Sequence, residues 1–555
     1  MAYAWTPHDS WPGVSRRATL SSESLWVSRP RDAREIFVSG EVTVSAAGTA
    51  EARDVEAAAR RAWRRLRFEV PELGVEGGEE DGETAMRYVN PRVEDVEAWV
   101  QRSLFFSHGT RALDFAGLKR GVLLRKGESE DPVVLLLHFH PARVGAEDGR
   151  RLSIMMNTDH LVTDGVGTRI LFGKFLGVFA KYLSSSNEGK EGGKGDGKVS
   201  VAEEDFEWRE SWRNLSPPWI NILSTAPDLS VKKVEETVAY HRDIFMNKMS
   251  SNPGLPLKPP PTEASPSLCP PIIPPSSTPQ PEIPQASNQK SLFHTFTTSK
   301  TAALLTAIKR QISPQATITH LVHAALVLAL LSHDSQTPPP TTPTQEETFY
   351  SSCWLSGRRY LQDQEGKRGG HVPVCMGFHP IVFEGLGRLR GELGACETAG
   401  ARRRVLVETC KVAMNEYRKL ESRNHVLVDF CQLSDLLLSK PPTRDHEARP
   451  PDTRKAAPLF LSDGRTESYI SRTYPPATTS ASSPSPTSSI PTIEVKDVYF
   501  AANADGEVVL RLCTFRDRLR LSAEWRSELF EAEMVRGFVR WMVELLTQGD
   551  SCVEI

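Results

Sequence analysis

A histidine followed four and five residues later by aspartate and glycine, His160-Leu161-Val162-Thr163-Asp164-Gly165, is the stretch of this 555-residue chain that bears most directly on chemistry. Imidazole has an ordinary pKa near neutrality, so it can take up and return a proton at physiological pH. Before the motif, residues 151–159 alternate Leu152, Ile154 and Met156 on one face, the period of a half-buried strand. After it, residues 168–183 carry Leu171, Phe175, Val178, Phe179 and Tyr182 at amphipathic-helix spacing, and Thr163 or Asp164 can cap the entry. The sequence predicts a strand–histidine–turn–helix joint that holds His160 on rigid elements at the mouth of a cleft. Asp164 has two readings, a helix cap or a carboxylate paired with a distant cation.

Other constellations offer weaker chemistry. The run 192–198 nearly spells a phosphate loop, but Val199 stands where a magnesium-binding hydroxyl belongs and no strand precedes it, so it reads as linker. His138 and His140 share a strand face, yet no third ligand follows by spacing, and they read as structural histidines rather than a metal site. His320 and His323 sit three apart on an apolar helix, where packing or cleft lining outweighs ligation. There is no Gly-x-Ser-x-Gly elbow, which argues against an α/β-hydrolase. The sequon Asn214-Leu215-Ser216 is expected to stay unmodified, because residues 1–20 lack the apolar run of a secretory signal.

The positioning elements follow from periodicity and composition. Strands are expected at 35–44, 133–140, 292–298, 349–355 and 508–515; helices at 52–67, 300–311, 318–331, 401–420 and 527–546. Strands mixed with helices in both halves predict an α/β chain built as two α+β sandwiches. Residues 251–290 hold 13 prolines and almost no periodicity. They read as a linker between an N-terminal lobe at 1–250 and a C-terminal lobe at 291–555. Shorter breaks at 184–200, 336–345, 440–455 and 474–491 read as disordered surface insertions. A net charge of −3 with both signs interspersed gives no sign of nucleic acid or an anionic membrane as partner. The longest apolar run, 321–331, is too short to span a bilayer and reads as a buried helix. Eight scattered cysteines without a Cys-x-x-Cys fit a reducing compartment without structural zinc, and a cytoplasmic location is expected.

The segment Met156-Asn157-Thr158-Asp159-His160-Leu161-Val162-Thr163-Asp164-Gly165 resembles the His-x-x-x-Asp-Gly motif of the chloramphenicol-acetyltransferase-like acyltransferases. Within that superfamily the fungal trichothecene 15-O-acetyltransferase-like proteins fit best, since landmarks at 316–330, 356–361 and 461–470, and the ending at 508–546, fall in their order. Condensation domains usually carry two adjacent histidines, and here the first is Asp159; the Asp-Phe-Gly-Trp-Gly string of the plant enzymes is absent. The resemblance implies two similar lobes with the active site at their interface. It implies an acyl-CoA-dependent O-acyltransferase, acetyl-CoA being the expected co-substrate with no bound cofactor and no metal. The acceptor would be a small hydroxylated secondary metabolite, such as a terpenoid or mycotoxin, and the enzyme a monomer. A condensation-type enzyme fed by a carrier protein and a non-catalytic binding protein are the alternatives. By the same resemblance His160 is the general base. Asp164 pairs with an arginine, either Arg358 or Arg359, to hold the turn, and Gly165 permits close backbone packing. Ser462 and Gly464 fall in a segment that lines the cleft. No oxyanion donor is legible.

Overall fold

The computed structural model describes residues 3–8, 13–45, 51–80, 82–127, 131–141, 149–188, 206–225, 231–259, 288–334, 347–362, 370–421, 426–439, 455–474 and 492–547. The chain forms two compact units whose segments interleave. The first comprises Met1–Asp228, Ser356–Gly377 and Arg465–Ala502; the second comprises Leu229–Leu355, Phe378–Gly464 and Asn503–Ile555. A division into consecutive halves at 250 and 291 therefore misplaces two excursions. Ser356–Gly377 and Arg465–Ala502 lie far along the sequence but pack with the first unit.

The first unit is built on a six-stranded sheet. Its order is Thr473–Tyr474, Thr492–Ala502, Glu35–Ser45, Arg150–Asp159, Val133–Phe139, Leu104–His108. All neighbours are antiparallel except the last pair, Leu104–His108 against Val133–Phe139. Every residue of Val133–Phe139 is buried, so this strand is covered on both faces, consistent with its continuous apolar run. Helix Ala52–Glu69 packs on helix Gly165–Glu188. The contact buries Trp63, whose indole meets Phe175 edge-on at 6.0 Å and donates to Ser103 Oγ at 2.9 Å. A smaller sheet in this unit has the order Thr6–Pro7, Val14–Ala18, Glu83–Val89, Val75–Glu80.

The second unit holds another six-stranded sheet. Its order is Gln289–Thr295, Arg518–Arg526, Val509–Phe515, Leu459–Arg465, Phe349–Ser356, Met376–Phe383. Helix Ile318–Asp334, buried at every position from Leu321 to Leu331, packs against helices Ala399–Glu421 and Ala532–Thr547. Two expectations need correction here. Arg516 and Asp517, both with positive φ, form a tight hairpin that inserts the strand Arg518–Arg526, so the last helix starts at Ala532 rather than 527. The reading of 251–290 as featureless linker also fails at its ends. Leu255–Pro256 pairs with Lys455–Ala456, Leu255 is fully buried, and Gln289–Thr295 forms an edge of the large sheet. Prolines at 253, 256 and 259 permit this, because an edge pair of two residues asks few donors of the backbone. Residues 260–287, most of the expected insertions and the phosphate-loop-like run 192–198 lie outside the described residues.

Candidate active site

His160 follows the strand Arg150–Asp159, which is hydrogen-bonded on both sides, to Glu35–Ser45 and to Val133–Phe139. The His160 backbone N–H donates to the Arg34 carbonyl at 2.8 Å, fixing the residue just beyond the sheet. Its ring lies face to face on Trp26, with centroids 3.9 Å apart and planes within 4°. In the preceding residue, the buried Asp159 carboxylate accepts from the Leu161 N–H at 2.8 Å and pairs with Arg34 at 3.1 Å. Burial pushes the Asp159 carboxyl above its ordinary value, against the pull of Arg34 and the Leu161 N–H. Asp159 thus acts as a buried brace of the turn, at the position where condensation domains place a second histidine.

Asp164 is both a cap and an ion-pair partner. Its Oδ1 accepts from the N–H groups of Val166 at 3.0 Å and Gly167 at 2.8 Å, closing the start of helix Gly165–Glu188. Its Oδ2 accepts from Arg358 Nη1 at 2.9 Å and from the Cys375 N–H at 2.8 Å. Arg358 is held in turn by the carbonyls of His371 at 2.7 Å and Pro373 at 2.9 Å. Burial favours the neutral Asp164 carboxyl, but the Arg358 charge and the N–H donors of Arg358, Gly167 and Cys375 outweigh it and hold its pKa below the ordinary value. Four donors occupy the carboxylate, so Asp164 organises the turn and has no acceptor site left for an imidazole.

Of the two arginine candidates only Arg358 meets Asp164. Arg359 is exposed and lies over the Tyr360 ring at 4.7 Å, so its pairing with Asp164 is set aside: the short helical turn Gly357–Tyr360 points consecutive side chains apart. Of the two glycines at the turn, Gly167 is more tightly enclosed than Gly165. A methyl group at Gly165 would meet only the Phe500 ring, at 3.1 Å, whereas at Gly167 it would overlap Thr163 Oγ1 and the Val372 carbonyl oxygen. Those two atoms are themselves joined by a 2.7 Å hydrogen bond from the Thr163 hydroxyl, which ties the turn to the segment after Arg358.

Ser462 and Gly464 lie in the second unit on strand Leu459–Arg465, where the Ser462 hydroxyl pairs with Thr319 at 2.7 Å and Gly464 adopts φ +68°. His138 contacts the Arg111 carbonyl at 2.9 Å and His140 contacts Ser153 at 2.7 Å. Among the described residues no group of three or more His, Cys, Asp or Glu side chains is arranged to hold a metal ion. His323 is fully buried between Ser351 at 2.8 Å and Tyr417 at 3.2 Å, and burial pushes its pKa down to about 3. It is a core residue. Trp26 and Gly167 were not legible in the sequence, because both matter only through contacts that the fold creates.

The site thus has a histidine at the end of a central strand, with an aspartate pinned to an arginine at the following helix start. The chain has the two-lobed chloramphenicol-acetyltransferase-like fold, shared at a TM-score of 0.51 with the epimerization domain of tyrocidine synthetase B (13% identity; 95% of this chain, 96% of that one). The condensation domain of the monacolin K polyketide synthase MokA matches at the same score (12% identity; 95% and 96%). Closer likeness is to the trichothecene acetyltransferases. Residues 277–428 match the family described as 15-O-acetyltransferase Tri3. The trichothecene 15-O-acetyltransferase TRI3 of Fusarium sporotrichioides is 23% identical over 405 residues, covering 71% of this chain and 65% of that protein. The match therefore spans slightly less than two thirds of that relative's length. The trichothecene O-acetyltransferase TRI3 of Trichoderma arundinaceum is 22% identical over 426 residues, covering 73% and 70%. The solved Fusarium sporotrichioides structure superposes with a TM-score of 0.74 at 18% identity, covering 98% of both chains. No helix among the described residues is long and apolar enough to cross a membrane.

Proposed function

We propose that the protein is an acyl-CoA-dependent O-acetyltransferase that acts on a hydroxyl of a fungal secondary metabolite of the trichothecene type. The observation that carries this reading is His160 itself. It is an imidazole held on rigid backbone beyond a central strand, in a turn pinned by Asp164 and Arg358, within a chain similar to trichothecene acetyltransferases. In this account the neutral His160 imidazole takes the proton from the acceptor hydroxyl as its oxygen forms a bond to the thioester carbonyl carbon. When the tetrahedral adduct collapses, the carbon–sulfur bond breaks and the imidazolium returns the proton to the departing thiolate, leaving ester and free CoA. Such proton transfer is worth about 10²–10⁴-fold. Positioning of the two substrates and stabilisation of the oxyanion supply the rest.

Asp164 and Arg358 hold the turn, with Gly165 at the helix start beside them, while Ser462 and Gly464 are candidates for contacts with the substrates. The protein is further proposed to act in the cytoplasm as a monomer. The test is direct: incubate the purified chain with acetyl-CoA and a trichothecene bearing a free 15-hydroxyl, and follow CoA release together with product mass. A product heavier by one acetyl group supports the reading. CoA release at the no-acceptor rate across a panel of trichothecene and related terpenoid alcohols contradicts it.

A further inference from the structure

Trp26 lies 134 positions from His160 in sequence, yet the two rings are in face-to-face contact at 3.9 Å, closer than the 4.5–7 Å of ordinary aromatic pairs. The tryptophan is not there by loose packing. Its helix, Ser21–Val27, is fixed by Glu23, which accepts from the Leu20 N–H at 2.8 Å and from both terminal nitrogens of the buried Arg17 at 2.7 and 2.6 Å. The Arg34 guanidinium donates to the Trp26 carbonyl at 3.3 Å, and the Arg34 carbonyl receives the His160 N–H at 2.8 Å. One residue thus locks the backbones of both stacking partners. The indole N–H is buried and has no acceptor among the described residues. A buried donor left unmatched carries a cost, so Trp26 is retained for its ring face rather than for a hydrogen bond.

We propose that Trp26 is a positioning residue for His160: its indole face fixes the imidazole plane and stabilises the protonated ring that forms during proton transfer. This rests on His160 being the base of the proposed acetyltransferase. The physical cause is the indole quadrupole, whose electron-rich face attracts a cation far more than a neutral ring and is the strongest of the aromatic side chains in doing so. The stack therefore adds little to the neutral base and more to the imidazolium, a difference that lowers the barrier. The charged groups packed around the pair act as well. Arg29 lies over the same indole at 5.3 Å and competes for its electron density. Asp159, which favours the imidazolium, is largely committed to Arg34, with the buried Lys126 and Glu35 behind it.

The experiment compares Trp26→Leu, Trp26→Phe and the parent chain. For Trp26→Leu, kcat is expected to fall about 5- to 30-fold, the worth of a desolvated cation–π contact. KM for both substrates should stay within about 3-fold, because a residue that acts on the base leaves ground-state binding alone. The acidic limb of the kcat–pH profile should move to lower pH, since a less stabilised imidazolium deprotonates more readily, and Trp26→Phe should recover most of the loss. Proton–carbon correlation NMR of the full chain labelled with carbon-13 histidine, with His160 assigned by the signal missing from His160→Gln, reads the stack without any turnover. Its ring proton should be shifted upfield in the parent, move downfield in Trp26→Leu, and titrate at lower pH there. If the parent lacks acetyltransferase activity, that signal still tests the stack, so the two failures are separable. A Trp26→Leu chain with unchanged kcat and acidic limb, or an unchanged His160 resonance and midpoint, overturns the proposal.

Discussion

Asp164 Oδ2 and Arg358 Nη1 lie 2.9 Å apart although 194 positions separate the residues in sequence, and both are sealed inside the first unit. The pair closes a loop between the helix start after His160 and the excursion Ser356–Gly377. It is also fully hydrogen-bonded: four donors meet the carboxylate, and the guanidinium reaches the carbonyls of His371, Val372 and Pro373. A buried ion pair gives little net stability over an apolar pair, but removing one partner strands the other charge.

Replacing Asp164 with Ala should therefore destabilise the chain by about 3–5 kcal/mol, seen as a lower midpoint in urea, with activity falling in parallel. Asp164→Asn keeps two cap bonds and should lose less. An Asp164→Ala chain as stable as the parent but inactive would instead give the carboxylate a direct part in chemistry. The pair also predicts a sign for acid sensitivity. The Asp164 carboxyl is held below its ordinary 3.8, so its contribution is complete above that pH and drains away as pH falls through the folded value. The acid limb of a stability–pH curve should accordingly be shallower in Asp164→Asn.

Gly167→Ala should be far more damaging than Gly165→Ala. The first would force a methyl group into Thr163 Oγ1 and the Val372 carbonyl, while the second meets only a ring edge at 3.1 Å. Overpacking of this kind costs about 1–3 kcal/mol. Thermal melts of the two variants decide the matter, and equal losses would contradict the assigned geometry.

Stability should also decline in mild acid through histidines that the fold keeps neutral. Burial pushes His323 and His371 down to about 3 and His320 down to about 4, against an ordinary 6.5. Their contributions are complete above about 6.5 and are lost as pH falls toward those values, since the unfolded chain then binds the extra protons. Each adds up to about 1.4 kcal/mol per pH unit to the slope. Urea midpoints measured from neutral pH down to about 5 should drop, and less so in His323→Gln. A midpoint independent of pH in that window would mean that these histidines are solvated and free to protonate.

Much of the frame was legible because it is written in local periodicity. The alternation of Leu152, Ile154 and Met156 gave the strand Arg150–Asp159, and the apolar run 321–331 gave a wholly buried helix. His160, Asp164 and the two candidate arginines were legible as candidates from spacing and resemblance. What escaped is what only distance in sequence creates. Gly167 looks like any helix-entry glycine until Val372 is folded onto it, and Trp26 looks like any surface tryptophan until its helix is locked by Glu23. The choice of Arg358 over Arg359 likewise depends on the turn Gly357–Tyr360, which sends one side chain inward and the next to solvent. The interleaving of the two units was invisible for the same reason: nothing in the composition of 356–377 or 465–502 marks them as belonging with the first.

The measurement that bears most directly on the account is the single-turnover rate of acetyl transfer by His160→Gln, taken beside its melting temperature and its affinity for acetyl-CoA. Glutamine roughly keeps the volume on Trp26 and the backbone bond to Arg34 but cannot carry a proton at neutral pH. The account predicts a rate at least about 10²–10⁴-fold below the parent, with acetyl-CoA affinity and melting temperature close to unchanged. Transfer at a rate near that of the parent would contradict it and remove His160 from the chemistry.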